Sequence, residues 1–296
     1  MKRPFFTIIT VTYNSGDRLL ETIASIKEQT FTDYRILVKD GMSTDGSIEK
    51  LRSKYRVGSV ENPEGSDLML MESCDSGIYH AMNIAITQLE SQGVPKVGEV
   101  PSYVFFLNCG DTFKDKNVLM KVHDAIDARL SLKGTTLPAI FYGDIFEITT
   151  GQRVASNPRI DDHACYRNVP SHQACFYDER LMYRNRFNLK YKVRADYEQF
   201  LRCYYNDKAE TVYMPLIVAN YEGGGFSDKN KKISEKERAE IIKMYLPASK
   251  VFKYDVLRAV TLSHLRTFLA SNKATAGAYN GVKNAVYRVR YGKKRK

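Results

Sequence analysis

Apolar and β-branched residues run almost unbroken from Phe5 to Thr12, as expected of a strand buried on both faces. After Asn14-Ser15-Gly16 the pattern changes period: Leu19, Ile23 and Ile26 recur at helical spacing, with Asp17 near the positive N-terminus. Tyr34–Val38 reads as the next strand, ending at Asp40-Gly41. Ser43, Thr44 and Asp45 can each cap a helix whose one face carries Ile48, Leu51 and Tyr55. A third strand is expected over Asp67–Met71, followed by a helix with Ile78, Met82, Ile86 and Leu89 on its apolar face. Tyr103–Leu107 is a short apolar strand running into Asn108-Cys109-Gly110-Asp111, and a helix through Val118, Val122 and Ile126 follows. The second half is less regular. Ala139–Ile148, Gln173–Tyr177 and Thr211–Asn220 read as strands, and Arg194–Tyr205 as a helix with Tyr197, Leu201 and Tyr204 on one face.

Strand and helix in alternation predict an α/β fold with a mostly parallel sheet flanked by helices. In such sheets a ligand sits beyond the carboxyl ends of the strands. Thr12-Tyr13-Asn14, Asp40, Glu72 with Asp75, and Asn108 with Asp111 each follow a predicted strand, so they should converge on one rim. The opening MKRPFFTIITVTYN mimics a signal peptide, but Thr7, Thr10 and Thr12 interrupt its apolar run, and a buried first strand is the better reading. No stretch of about eighteen apolar residues predicts a membrane span.

Composition adds two things. Five scattered cysteines without a Cys-x-x-Cys pair argue against a disulfide framework or a structural zinc and for reduced thiols in the cytoplasm. The formal charge of +11 is also unevenly spread: residues 228–296 carry 18 Lys/Arg against 5 Asp/Glu, leaving residues 1–227 at −2. This divides the chain into a domain over 1–227 and a basic helical extension over 228–296. In the extension Val251, Val256, Val260, Leu262, Leu265 and Leu269 interleave with Lys250, Lys253, Arg258 and Arg266, and Arg288, Arg290 and Lys293–Lys296 make a polybasic end. That pattern suits an anionic membrane surface. With a slightly acidic body and no recognition module, nucleic acid is not expected as a partner. A plain helical cap with a solvated charged face would carry the same pattern.

The rim residues narrow the chemistry. Neither a Gly-x-x-x-x-Gly-Lys-Ser/Thr loop nor a Gly-x-Gly-x-x-Gly follows the first strand, which disfavours P-loop and dinucleotide-binding enzymes. A sheet that holds a nucleotide without those loops commonly neutralises diphosphate with a divalent cation on oxygen ligands. Asp111, beside Gly110 at a strand end, is the natural carboxylate for Mg²⁺ or Mn²⁺.

Taken in order, ITVTYNS, VKDGMSTDGS, ESCDSGIYHAMN, FLNCGD, YGD, HQACF and RADYEQFLR resemble the signature segments of family 2 glycosyltransferases, over roughly residues 5–205. The resemblance is to the bacterial enzymes of exopolysaccharide, colanic acid and O-antigen assembly, and it implies the GT-A fold. It also implies roles. Thr12, Tyr13 and Asn14 would contact nucleobase and ribose; Asp40 would accept from the base, with Ser43 shaping its turn; Asp75 would be a further nucleoside-side carboxylate. Asn108-Cys109-Gly110-Asp111 stands at the Asp-x-Asp metal motif, with Asp111 as its remaining carboxylate. Asp196 stands where inverting members carry the general base. His172, in Ser-His-Gln, is a candidate second metal ligand or an acceptor contact. Asn108 and His80 fall to donor or acceptor contacts, His80 where relatives commonly carry Asp or Arg. Asp144, in Tyr-Gly-Asp, is read as structural. Plainer readings exist: Asp40 and Ser43 can simply cap a helix turn, and Ser73–Ser76 looks like a helix start.

The expected activity is inverting, metal-dependent transfer of a sugar from a nucleotide-sugar donor to a glycan or lipid-linked acceptor in cell-surface polysaccharide synthesis. It would occur in the cytoplasm, peripherally on the inner face of the membrane. A sugar-nucleotide pyrophosphorylase is the alternative enzyme, although Thr12–Gly16 lacks the Gly-rich basic loop it needs. A catalytically silent nucleotide-sugar binder is the non-enzymatic alternative.

Overall fold

The structure is a computed structural model that describes residues 3–60, 62, 65–95, 99–134, 137–223, 230–260, 277, 281 and 282. The chain divides into two compact units, Met1–Ile241 and Ile242–Lys296. The first runs past Ser227, because a helix beginning at Lys231 supplies it with buried Ser234, Glu237 and Arg238.

In chain order the elements are β1 (Phe6–Thr12), α1 (Arg18–Lys27), β2 (Tyr34–Asp40), α2 (Ser47–Lys54), β3 (Val57–Gly58), β4 (Leu68–Glu72) and α3 (Ile78–Ser91). Then come β5 (Tyr103–Phe106), β6 (Thr112–Phe113), α4 (Val118–Lys133), β7 (Ala139–Glu147), β8 (Gln152–Val154) and α5 (Asp162–Arg167). A single 3₁₀ turn (His172–Ala174) leads into β9 (Cys175–Asp178), α6 (Glu179–Arg184), α7 (Ala195–Tyr205) and β10 (Glu210–Tyr221). Helices α8 (Lys231–Tyr245) and α9 (Ala248–Val260) follow.

The described strands form one sheet in the order β3-β4-β2-β1-β5-β9-β7-β10-β6, with β8 paired to β7. From β3 to β5 every pair is parallel, as the alternating pattern requires. All seven residues of β1 are buried, which is why it reads as continuously apolar. The pairings Thr12↔Asp40 and Asp40↔Glu72 bring three strand ends level. Beyond β5 the sheet turns mixed: β9 lies antiparallel between β5 and β7, while β7 and β10 are parallel.

Without tryptophan, phenylalanines fill the centre. Phe105 stacks on Phe176 at 4.2 Å and on Phe113 at 5.3 Å, and Phe6 meets Phe176 edge-on at 5.6 Å. Each such ring contributes about 1.5–3 kcal/mol by burial, and each pair about 0.5–1.5 kcal/mol more. The stack ties β9 to the parallel half. Two sequence expectations shift locally. The strand expected from Gln173 starts at Cys175, because the 3₁₀ turn takes His172–Ala174. Tyr55 lies just past α2 in extended backbone.

Asp144 is structural: fully buried, it accepts from Arg153 Nε at 2.6 Å, Ser156 N at 2.7 Å and the Tyr213 hydroxyl at 3.1 Å. Its neighbour Gly143 lies where β10 bulges, and a Cβ there would meet the Leu216 carbonyl at 2.6 Å. The five cysteines are free thiols. Among the described residues no helix is long and apolar enough to cross a membrane. In the second unit α9 is helical. The polybasic end and Leu262, Leu265, Arg266 and Leu269 lie outside the described residues.

Candidate active site

The rim expectation can be followed bond by bond. On one side the loops after β1 and β2 hold each other: Asn14 N donates to Ser43 Oγ at 2.8 Å, Thr44 N to Asn14 Oδ1 at 2.8 Å, and Gly41 N to the Thr12 carbonyl at 2.9 Å. Asp40 is 1% exposed, and its two carboxylate oxygens accept from Ser43 N at 2.8 Å and Ser43 Oγ at 2.5 Å. The turn-forming role of Asp40 and the expected site are thus the same piece of structure. What the loop presents outward is Tyr13, 66% exposed, and Met42, in left-handed backbone at φ 70°.

Beneath it lies a residue that sequence reasoning missed. Lys39 is fully buried and spends its three protons on the Asp40 carbonyl at 2.8 Å, the Ser73 carbonyl at 2.7 Å and Asp75 Oδ2 at 2.7 Å. The other Asp75 oxygen accepts from Gly77 N at 3.0 Å, at the start of α3. His80, one turn further on, accepts from Ser76 N through Nδ1 at 3.0 Å, which leaves its proton on Nε2.

From α3 the connection crosses to the second half. The Tyr79 hydroxyl shares its one proton between Asp196 Oδ1 at 3.1 Å and the Val193 carbonyl at 2.9 Å. Burial and the adjoining Asp196 carboxylate raise the Tyr79 pKa well above its ordinary value, so it stays a donor. Asp196 occupies the first turn of α7, where the helix dipole favours a carboxylate. The chain entering that helix is gripped by Glu237, which accepts from the backbone N–H groups of Lys192, Val193 and Arg194 at 2.8, 3.0 and 2.9 Å. Burial pushes the Asp196 carboxyl up. Hydrogen bonding from His172, the Arg194 charge and the Tyr197 N–H outweigh it and hold the group below the usual range.

His172 Nδ1 lies 3.1 Å from Asp196 Oδ2, and His172 Nε2 lies 2.8 Å from Asn108 Nδ2. A carboxylate only accepts, so Nδ1 carries the proton and Nε2 accepts from the Asn108 amide. Both ring nitrogens are therefore engaged, and metal ligation by His172 would break one of these bonds. Asn108 is 9% exposed and its Oδ1 has no hydrogen-bond partner among the described residues. Next to it, Cys109 N donates to the Val11 carbonyl at 3.4 Å, returning to the loop after β1. The candidate residues thus form a circuit of two hydrogen-bonded runs, Asn14 through Ser43, Asp40 and Lys39 to Asp75, and Tyr79 through Asp196 and His172 to Asn108, joined along the chain by the start of α3 and by the bond from Cys109 N to the Val11 carbonyl.

Asp111 completes the Asn108 turn. Gly110 sits at φ +98°, a conformation that favours glycine. Thr22 of α1 fastens the turn by donating to the Asp111 carbonyl at 2.8 Å and accepting from Gly110 N at 3.0 Å. The Asp111 carboxylate is 5% exposed and accepts from Gln173 Nε2 at 3.2 Å. Burial drives its pKa up to about 6, helped by the Glu222 charge and opposed by the Gln173 hydrogen bond. No Lys or Arg pairs with it among the described residues, nor do three or more His, Cys, Asp or Glu side chains gather there into a metal cluster. Gln173 was also missed, although it stands next to His172 in the HQACF segment.

The Glycosyl transferase family 2 model matches residues 7–129, from β1 into α4. A curated relative, the PGL/p-HBAD biosynthesis glycosyltransferase of Mycobacterium bovis strain BCG, is 29% identical over 232 residues, covering 77% of this chain and 81% of that protein. Residues 7–129 thus carry a family 2 glycosyltransferase domain, and the chain is a glycosyltransferase. Its fold is GT-A. Staphylococcus aureus TarS, solved with UDP, aligns with a TM-score of 0.59 at 16% identity, over 90% of this chain and 75% of that one. The mannosyltransferase PcManGT from Pyrobaculum calidifontis, solved with GDP-Man and Mn²⁺, aligns with a TM-score of 0.51 at 15% identity, over 99% and 89%. In this glycosyltransferase the family match ends before the segments that carry His172, Gln173 and Asp196. Those residues are tied to the family region by the hydrogen bonds described above.

Proposed function

We propose that the enzyme moves one sugar from a nucleotide-sugar donor to a hydroxyl of a glycan or lipid-linked acceptor, with inversion at the anomeric carbon and with a divalent cation, in cell-surface polysaccharide synthesis. The observation that carries this reading is the bridge from Asn108 through His172 to Asp196, which couples the strand end bearing Asp111 to a half-buried carboxylate. Solved relatives in the same fold hold UDP, or GDP-Man with Mn²⁺, which supports the donor class.

The nucleoside falls to the rigid side of the circuit, Thr12, Tyr13, Asn14, Asp40, Ser43 and Asp75, with Tyr13 offering its ring. Asn108 Oδ1, buried and without a partner among the described residues, suits a donor hydroxyl, and His80 lines the adjoining start of α3. Asp111 fits as the single protein carboxylate for Mg²⁺ or Mn²⁺: it is buried, without a basic partner among the described residues, and hard cations commonly complete their shell with phosphate and water oxygens. Such a cation supplies positive charge for the departing diphosphate. Asp196 accepts the proton that the acceptor hydroxyl loses as it attacks the anomeric carbon. A positioned base of this kind typically contributes about 10²- to 10⁴-fold. With one base on the acceptor side, direct displacement inverts the centre and needs no second catalytic carboxylate.

Product anomeric configuration by proton NMR, with and without chelator, tests the reading. An inverted linkage formed only with added cation is expected; retention, or full activity in chelator, overturns it. For the acceptor side, α9 exposes Phe252, Val256 and Val260 beside Lys253, in a tail of strongly positive charge. That arrangement supports peripheral docking on an anionic cytoplasmic leaflet. Replacing Phe252 and Val256 with Asp should reduce flotation with phosphatidylglycerol vesicles severalfold; unchanged flotation removes the tail from this role.

A further inference from the structure

We propose that His172 is the positioning residue of proton transfer, acting through Asp196 and keyed by Asn108 to the donor side. The inference rests on the reading of Asp196 as the base and adds to it the group that sets that base.

The geometry is asymmetric in an informative way. Oδ1 of Asp196 is held twice, by the Tyr79 hydroxyl at 3.1 Å and the Tyr197 N–H at 2.8 Å. Oδ2 has one donor among the described residues, His172 Nδ1–H at 3.1 Å. A carboxylate oxygen has two acceptor sites, so Oδ2 keeps one lone pair for an incoming hydroxyl proton. His172 therefore decides where that lone pair points. The imidazole is itself fixed from behind, because Nε2 takes the Asn108 amide proton at 2.8 Å. Its side chain is 14% exposed, while that of Asp196 is 27% exposed, so the carboxylate is the more accessible of the two. Asn108 lies three residues before Asp111 in the same turn, which fixes the base relative to the strand end that would hold the diphosphate.

Two isosteric substitutions separate the halves of this bridge. An Asn side chain can present Nδ2–H where His172 has Nδ1–H, and so keeps the bond to Asp196 while losing Asn108. A Gln side chain reaches the position of Nε2 and does the reverse. In the full-length enzyme, with the nucleotide sugar that wild type turns over from a panel of UDP-, GDP- and TDP-sugars, His172→Ala and His172→Gln should each lower kcat about 10- to 100-fold, the range of supporting hydrogen-bond partners elsewhere. Donor KM should stay within about twofold. His172→Asn should recover kcat to within about threefold of wild type.

A readout free of turnover accompanies this. Long-range ¹H–¹⁵N NMR of the labelled chain, which has 5 histidines, should show His172 as the Nδ1–H tautomer, its signals assigned by their loss in His172→Gln. In Asp196→Ala that preference should relax towards Nε2–H. An Nε2–H tautomer in wild type, or equal kcat losses in the Asn and Gln variants, overturns the proposal. So does a raised Mn²⁺ requirement in His172→Ala, which would make His172 a metal ligand. If Asp196→Asn turns over normally, the base reading itself fails; if Asp196→Asn is inactive and His172→Ala is not, only the present inference fails.

Discussion

The two sides of the hydrogen-bonded circuit are built to different rules. On the β1–β2–β4 side every buried charge is answered. Asp40 has both oxygens filled by Ser43, and Asp75 has one oxygen on Lys39 and one on Gly77. On the β5–β9–α7 side charges and acceptors are left short. Asp111 is buried with only an amide and a backbone N–H on its carboxylate, and Asn108 Oδ1 has no partner among the described residues. A saturated network is rigid and inert, and suits a surface that receives a preformed ligand. Unsatisfied groups in a low-dielectric site are costly, and a ligand that answers them binds there.

The largest expected effect tests the reactive side. Asp196→Asn keeps the shape of the side chain and removes its basicity, so kcat should fall about 10²- to 10⁴-fold while donor affinity changes little. Isothermal titration with the donor's nucleoside diphosphate separates the two quantities, and a loss confined to binding would move Asp196 to the holding side. Next comes the anchor of the rigid side. Lys39→Met leaves Asp75 charged and partly buried without its partner, a change that typically costs about 3–5 kcal/mol. Chemical denaturation should register that loss, and a near-neutral result would mean that Asp75 finds water or another donor.

The same division explains what could be read from the chain. Thr12, Asp40 and Asn108 were legible because each is a polar residue at the carboxyl end of an apolar run, and parallel neighbours in register must end together. Lys39 was not. It stands between Val38 and Asp40 where an exposed strand-end lysine would look the same, and nothing local tells that its ammonium will turn along the strand end to three oxygens. Tyr79, Gln173 and Glu237 were also hidden, because their value lies in partners 117, 62 and about 44 residues away. Ile78 shows the same limit in reverse: it shares the helical period of Met82 and Ile86, yet as the first residue of α3 it is 40% exposed. The insertion of β9 between β5 and β7 follows from long-range aromatic packing, which periodicity does not encode.

The smallest effect has the sign that distinguishes the two sides most sharply. Asp111 has a folded pKa raised to about 6 from 3.8, so between those values the native state binds more protons than the unfolded one. Stability therefore falls as pH rises through that window, and above it the ionised carboxylate costs on the order of 3 kcal/mol in the cation-free protein. Asp111→Asn removes the charge and keeps the Gln173 side accommodated, so at pH 7.5 in chelator the variant should be more stable than wild type, by up to that amount. The gap should close as pH is lowered to about 4, where the wild-type carboxyl is neutral as well. Added Mn²⁺ with nucleoside diphosphate should stabilise wild type and leave the variant unmoved. A residue retained at a cost to folding, and answered only when ligand arrives, is what the reactive side requires. If Asp111→Asn instead destabilises the cation-free protein as Lys39→Met does, Asp111 belongs with the anchors, and the contrast between a holding side and a reacting side is lost.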